Sequence, residues 1–286
     1  MEITVITAAY NGGSFIRHTA ESLQAQTHTK WRLIVFDDGS KDNTRDIIKE
    51  LAQKDERIKL LCHPENKNLG LAQTLKKAAA CVKTDYVCFL EHDDLFDKDT
   101  LKNRIAFLNK HPKAEIIFNS VKCFGDEQRV KKLSIFNKAA ALWVKILNPF
   151  TCAYNLNFAF LGFNAIPAFS CVMLKTSLLE NADFICPTPQ KTDYWLWAQL
   201  SFKHKFYFID EPLTLWRLTK TSYTMRCLGN KAADKEFKTA LKSLYKSNLS
   251  APLYYLKVCT SAVLCGLFNC GALIIKPLAK LFLGIK

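Results

Sequence analysis

Strand-like apolar runs and helix-like runs alternate five times between residues 2 and 119 of this 286-residue chain, and no other feature restricts its fold as strongly. The strand-like runs are 2–9, 31–36, 58–62, 86–90 and 114–119. Between them the apolar residues return at helical spacing: Phe15, Thr19 and Leu23 after Ser14, a predicted N-cap, then Ile47, Ile48 and Leu51, an Ala-rich run over 71–82, and 100–110 before Pro112. Short buried strands joined by helices predict a doubly wound, mainly parallel α/β sheet. In such a sheet, ligands gather at the carboxyl ends of the strands. Two acidic clusters stand there: Asp37-Asp38-Gly39-Ser40 after the second strand, and Glu91-His92-Asp93-Asp94 after the fourth. Carboxylates are costly at the rim of a buried sheet, so these clusters predict a site for a sugar, a base edge or a divalent cation.

The two common phosphate loops are missing. The first turn, Asn11-Gly12-Gly13, is not a dinucleotide fingerprint, and no glycine-rich loop ending in Gly-Lys-Ser/Thr occurs. A 49% hydrophobic content supplies a core and excludes global disorder. Eleven cysteines without a Cys-x-x-Cys pair suit a reducing compartment, and the six histidines do not complete a zinc spacing with them. The strand-like N-terminus carries no signal-peptide pattern, so the expectation is a cytoplasmic protein.

Beyond residue 119 the pattern changes. Residues 131–165 are dense in Leu, Phe, Trp, Ala and Asn, including Trp143, Phe150, Phe158, Phe160 and Phe163. A strand returns at 167–174, a helix follows over 193–202, and two strands are expected at 206–209 and 212–217. Net charge is +14, and residues 218–286 hold 11 Lys or Arg against 2 Asp or Glu. Lys231, Lys235, Lys238, Lys242 and Lys246 lie on an expected basic helix, and 258–275 runs without a charge.

Val5-Ile6-Thr7-Ala8-Ala9-Tyr10-Asn11, Asp37-Asp38-Gly39-Ser40 with Asp42, Asn68-x-Gly70, Glu91-His92-Asp93-Asp94 and Thr192-Asp193-Tyr194-x-Leu196-Trp197 occur in one order over residues 2–224. Together they resemble family 2 glycosyltransferases, which are inverting enzymes of the GT-A fold. The resemblance implies a transferase domain over 1–224, with a nucleotide-sugar half at 1–120 and an acceptor half at 121–224, followed by a helical, basic and apolar C-terminal extension at 225–286.

It further implies a nucleotide diphosphate sugar as donor, UDP-linked by preference, with Mn²⁺ or Mg²⁺ neutralising the leaving diphosphate. Asp38 matches the position that reads the uracil ring, Tyr10 packs on the base beside Ala8, and Asn11, Gly70 and Asp93 complete the donor site. Asp93, Asp94 and Glu91 are the expected metal ligands, and Asp193 the general base that takes the acceptor hydroxyl proton. Structural roles compete with these: Asp37-Asp38 as a turn that caps the next helix, Asp193 as a helix cap, and His92 as a spacer facing solvent. Three positions depart from the family pattern: Glu91 stands for Asp, Thr192 for Glu and Thr219 for His. Lys76, where many relatives carry Asn, is expected on the surface.

The expected acceptor is a surface-glycan or lipid-linked saccharide. Basic residues next to an apolar run attach proteins to anionic leaflets, which predicts a peripheral position at the inner face of the cell membrane through the C-terminal extension. Two other readings stay open: a catalytically silent, membrane-associated scaffold of the same fold, and a basic nucleic-acid-binding protein. The second is disfavoured because the positive charge is not interleaved with stacking aromatics and the acidic site repels phosphate, so no nucleic-acid partner is expected.

Overall fold

The computed structural model of the chain describes residues 1–147, 152–154, 156, 160, 164–219, 230–250 and 253. The run 258–275, Phe150, Phe158 and Phe163 lie outside them. The first half alternates as expected: β1 (Ile3–Ala9), α1 (Ile16–Gln24), β2 (Trp31–Asp37), α2 (Thr44–Lys54), β3 (Ile58–Cys62), α3 (Leu71–Ala79), β4 (Tyr86–Phe89), the short β5 (Leu95–Phe96) and α4 (Thr100–Lys110). The second half adds β6 (Ile116–Gly125), α5 (Glu127–Leu147), β7 (Ala153–Tyr154), β8 (Val172–Lys175), α6 (Thr192–Leu200), β9 (Phe206–Leu218) and α7 (Lys231–Asn248).

Among the described residues these strands form one sheet in the order β3-β2-β1-β4-β8-β6-β9-β5, with β7 paired to β9. β3, β2, β1, β4, β6 and β9 run the same way, and β8, β5 and β7 run against them. Alternate residues of each central strand enter two cores. Ile3, Val5, Leu33, Val35 and Cys88 pack toward α1, α2 and α4. Ile6, Phe36, Val87 and Phe89 pack toward α3, α6 and α7. Burial on both faces explains why these strands read as unbroken apolar runs.

Two local expectations are corrected. Ser14 does not cap α1: Phe15 holds that position without a side-chain bond, and the Phe15 and Ile16 N–H groups donate to the Gly12 carbonyl instead. The turn is tied across to the β2–α2 loop, where Ser40, Asp42 and Thr44 accept from the N–H groups of Asn11, Gly13 and Gly12. The strands expected at 206–209 and 212–217 are one strand, β9. Its register against β6 jumps from Asn119↔Ile209 to Val121↔Thr214, so residues 210–213 bulge opposite Ser120 and Pro212 needs no place in the ladder. The apolar segment 131–165 begins as helix α5.

The basic helix α7 is not a free appendage. Phe237, Leu241 and Tyr245, at successive i+4 spacings, join the core against α6, with ring centroids 5.0 Å apart for Tyr194–Phe237 and 4.7 Å for Phe202–Tyr245. Lys231, Lys235, Lys238, Lys242 and Lys246 stay exposed on another face of that helix. Among the described residues no helix is long and apolar enough to cross a membrane.

Candidate active site

Strand order puts β2, β1 and β4 side by side, so the loops leaving their carboxyl ends share one rim. A cleft of about 510 Å³ opens there, lined by Ala8, Tyr10 and Asn11 from the first loop, Asp38 from the second, Gly70 at the start of α3, and Glu91, His92 and Asp93 from the fourth. Arg217 and Thr219, at the end of β9, close its far side. Of the residues expected at the site, Asp94 and Asp193 do not line this cleft. Lys76 is exposed, as expected.

The pair Asp37-Asp38 divides its work. Asp37 is fully buried, accepts from the Ser40 N–H at 3.1 Å and lies 3.6 Å from Arg45, which closes the turn. Asp38 faces the cleft and accepts from the N–H groups of Leu69 at 2.7 Å and Gly70 at 3.0 Å. His63 Nε2 stands 3.4 Å from the Asp38 carboxylate and 2.8 Å from the Thr74 hydroxyl. Burial lowers the His63 pKa, although the charge of Asp38 works against that. Gly39, at φ +76°, lets the Asn66–Gly70 turn lie directly on this loop. Tyr10, 45% exposed, stands at the rim with an open ring face.

The pair Asp93-Asp94 divides as well. Asp94 is fully buried. Its Oδ2 accepts from the Ser170 hydroxyl at 2.6 Å and its Oδ1 from the Arg217 N–H at 2.9 Å. Glu91 and Asp93 line the cleft, and the Asp93 carbonyl accepts from Arg217 Nε at 2.7 Å. Burial first, then the neighbouring Asp94, Asp93 and Asp193 charges, push the Glu91 carboxyl well above the usual range. Burial and Asp93 push Asp94 the same way against the pull of its two donors. His92 is half-buried rather than a free spacer. Its ring lies so close to Gly12 that a Cβ there would sit 2.6 Å from Cδ2.

This acidic face fits a hard divalent cation: its donors are carboxylate oxygens, and clustered negative charge makes their ionisation costly, a cost that a cation relieves. Among the described residues no three His, Cys, Asp or Glu side chains converge to hold an ion alone, so the remaining ligands would come from substrate oxygens.

Asp193 sits in the first turn of α6, past the N-cap Lys191. Its Oδ2 accepts from Asn164 Nδ2 at 2.9 Å. The residue is partly reachable by solvent, yet its carboxylate is densely surrounded. That burial raises its pKa to about 6, against the lowering effect of the Tyr194 N–H and Asn164. Thr192, which departs from the family's Glu, donates its hydroxyl to the Pro189 carbonyl at 2.9 Å and fixes the turn into α6.

A second cavity, about 570 Å³, lies between α5, β6 and the bulge of β9, with Phe118, Phe208, Ala165 and Pro167 among its apolar lining and Lys122 and Lys138 among its polar lining. The segment 164–170 separates it from the cleft: Asn164 holds Asp193, Ala165 and Pro167 face the second cavity, and Phe169 faces the cleft. Asn164 and Ser170 belong to no motif in the sequence. Only their tertiary hydrogen bonds mark them.

Residues 4–181 match the sequence model of Glycosyl transferase family 2. The chain is 37% identical over 106 residues to the putative teichuronic acid biosynthesis glycosyltransferase TuaG of Bacillus subtilis, covering 37% of this chain and 41% of that protein. Over 198 residues it is 29% identical to the Escherichia coli UDP-Glc:alpha-D-GlcNAc-diphosphoundecaprenol beta-1,3-glucosyltransferase WfgD, 69% of each chain. The match to TuaG thus spans less than half of that relative's length. Among solved structures, Staphylococcus aureus TarS 1-349 in complex with UDP-GlcNAc superposes with a TM-score of 0.66 at 17% identity, covering 92% of this chain and 72% of that one. The mannosyltransferase PcManGT of Pyrobaculum calidifontis, in complex with GDP-Man and Mn²⁺, reaches 0.52 at 16% identity, covering 98% and 87%.

Proposed function

Because this chain belongs to glycosyl transferase family 2 and has the GT-A fold, we propose that it is an inverting glycosyltransferase that takes a sugar from a UDP-sugar and adds it to a hydroxyl of a saccharide acceptor. The observation that carries this reading is the convergence of Asp38, Glu91 and Asp93 in one cleft, with the high-pKa carboxylate of Asp193 close enough to perturb Glu91.

Asp38 is held by two backbone donors and keeps lone-pair capacity for a ring N–H of the base, while Tyr10 offers a stacking face. Ala8, Asn11 and Gly70 line the cleft around them. Asp93 and Glu91 would hold Mn²⁺ or Mg²⁺ through carboxylate oxygens. When bound, the ion acts as a Lewis acid toward the diphosphate leaving group. Asp94 holds the loop from behind rather than touching the ion. Asp193 accepts the acceptor hydroxyl proton on Oδ1, because Asn164 occupies Oδ2. A base poised near pH 6 is ionised at neutral pH and still basic enough to take that proton.

WfgD, by its name, uses UDP-Glc and a diphosphoundecaprenol-linked GlcNAc, which favours a UDP-sugar and a lipid-linked saccharide acceptor here as well. The exposed lysine row of α7 would then face the anionic leaflet that carries such an acceptor, placing the protein at the inner surface of the cell membrane.

The test is a thermal-shift screen of UDP- and GDP-sugars with Mn²⁺ and with EDTA. A UDP-sugar is expected to raise the melting temperature, and more so with Mn²⁺. No shift with any nucleotide sugar overturns the assignment.

A further inference from the structure

Ser170 is fully buried in the tight turn Phe169–Cys171, and its four polar contacts all lead to the acidic loop or to what anchors it. Its hydroxyl accepts the Glu91 N–H at 2.9 Å and donates to Asp94 Oδ2 at 2.6 Å. Its carbonyl accepts from Arg104 Nη2 at 2.7 Å and from the Thr214 hydroxyl at 3.0 Å. One side chain thus clamps both ends of the 91–94 turn.

Arg104 explains why Ser170 is so well placed. It is fully buried, and its other hydrogen bonds go to Asn119 Oδ1, at 2.9 Å from Nε and 2.6 Å from Nη2, to Thr214 Oγ1 at 3.3 Å and to Cys88 Sγ at 3.4 Å. Its guanidinium carbon lies 4.8 Å from the Phe96 ring centroid. Among the described residues every hydrogen-bond partner of this cation is neutral. Burying a guanidinium that way is costly, and an apolar side chain of the same volume would pack α4 on the sheet more cheaply. What the guanidinium supplies is a rigid fork of donors that fixes the Ser170 carbonyl and the Asn119 amide together.

The remaining bonds of the turn complete the clamp. Asp94 N–H donates to the Glu91 carbonyl at 3.1 Å, and the Thr19 hydroxyl lies 2.9 Å from the carbonyls of both His92 and Asp94. Arg217 closes the other side through Asp94 Oδ1 and the Asp93 carbonyl. With the backbone and Asp94 committed, Glu91 and Asp93 are the carboxylates left facing the cleft.

We infer that Ser170, fixed by Arg104, is a positioning residue that sets the angle and spacing of the Glu91 and Asp93 carboxylates for the divalent cation. This rests on the functional reading above. Outer partners that orient a metal ligand commonly contribute 10- to 100-fold to metal affinity, although they never touch the ion.

The experiment is titration of the full chain with UDP, once in EDTA and once in Mn²⁺, for the wild type and Ser170→Ala. In the wild type Mn²⁺ is expected to tighten UDP binding. In Ser170→Ala the EDTA affinity should be unchanged, because Tyr10 and Asp38 are untouched, while the Mn²⁺ enhancement drops on the order of 10-fold or more. A general loss of fold would weaken both titrations equally, so the split separates positioning from mere stability. Should Ser170→Ala not fold, Ser170→Cys keeps the volume with a weak donor, and the same selective drop is expected. Full Mn²⁺ enhancement in a folded variant overturns the inference and leaves the functional reading intact. No Mn²⁺ enhancement in the wild type overturns the inference, and no UDP binding in either titration overturns the functional reading with it.

Discussion

Gly39→Ala and Gly70→Ala form a matched pair that tests why the donor loop is built as it is. Both glycines have positive φ, +76° and +84°, so each alanine would meet backbone strain of roughly 1–3 kcal/mol. Their surroundings differ. A Cβ on Gly39 would stand 2.5 Å from the Asn66 carbonyl oxygen, 2.8 Å from Asn68 N and 3.0 Å from Lys67 C, all of them backbone, whereas one on Gly70 meets nothing within 4 Å. Alanine at 39 therefore forces the 66–70 turn outward. That turn carries the Leu69 and Gly70 N–H groups bonded to Asp38 at 2.7 and 3.0 Å. Hydrogen bonds to a charged group contribute roughly 1.5–3 kcal/mol each, so losing one adds about 2 kcal/mol to the strain. At roughly 2–4 °C per kcal/mol, Gly39→Ala should melt at least about 4 °C below Gly70→Ala. UDP affinity should also fall in Gly39→Ala, because Asp38 loses the donors that aim it. Thermal melting and UDP titration read both effects. Equal melting of the two variants, or wild-type UDP affinity in Gly39→Ala, refutes the argument that this loop exists to hold Asp38.

Asp193→Asn should keep UDP affinity and lower sugar transfer by roughly 10²–10⁴-fold, and near wild-type initial rates would remove Asp193 from the mechanism. Because burial raises Asp193 to about 6 and the base works only when ionised, kcat/KM should climb with pH through that value. Asn164→Ala removes a bond that lowers this pKa, so its pH–rate profile should shift upward, and an unmoved inflection counts against the pairing. Asp55, held at about 2 chiefly by Arg57, contributes stability that is complete above its unfolded pKa near 4 and is lost as pH falls toward 2. Asp55→Asn should accordingly flatten the acid side of the stability curve measured by denaturant melts. Reversing Lys235 and Lys242 to Glu should weaken flotation with anionic vesicles at low salt, at about 1 kcal/mol per lysine removed from the surface, and unchanged flotation rules out that face as the contact.

The donor half was legible because parallel strands buried on both faces leave unbroken apolar runs, and the turns between them carry their ligand-facing residues in contiguous motifs. The second half was less so. Asp210-Glu211 reads as a break between two strands, yet the chain absorbs residues 210–213 as a bulge opposite Ser120 while the ladder continues. The lysines of α7 advertise a charged helix. Their spacing does not show that Phe237, Leu241 and Tyr245 tie the helix to α6. Asn164 and Ser170 act through partners 29 and 76 residues away, and no local pattern encodes such pairs.

The acidic pairs mark the limit most sharply. In each, one carboxylate is buried away from the cleft and the other lines it, but the order reverses: Asp38 lines the cleft and Asp37 does not, while Asp93 lines it and Asp94 does not. The local backbone decides. Asp37 is the last residue of β2, in register with Ala9 and Cys62, and its side chain turns back onto the Ser40 N–H. Asp94 ends a turn closed by its own N–H on the Glu91 carbonyl, which sends its side chain toward Ser170 and leaves Asp93 forward. Exchanging one oxygen for nitrogen separates the roles. Asp93→Asn should weaken UDP binding only when Mn²⁺ is present, with little change in melting. Asp38→Asn should weaken UDP binding with or without Mn²⁺ and also lower melting, since one of its two backbone donors loses its acceptor. Asp37→Asn and Asp94→Asn should lower the melting temperature first, since each disturbs a fully buried acceptor. If Asp94→Asn instead melts like the wild type and loses only Mn²⁺-dependent binding, Asp94 is a ligand and the division of the second pair is wrong.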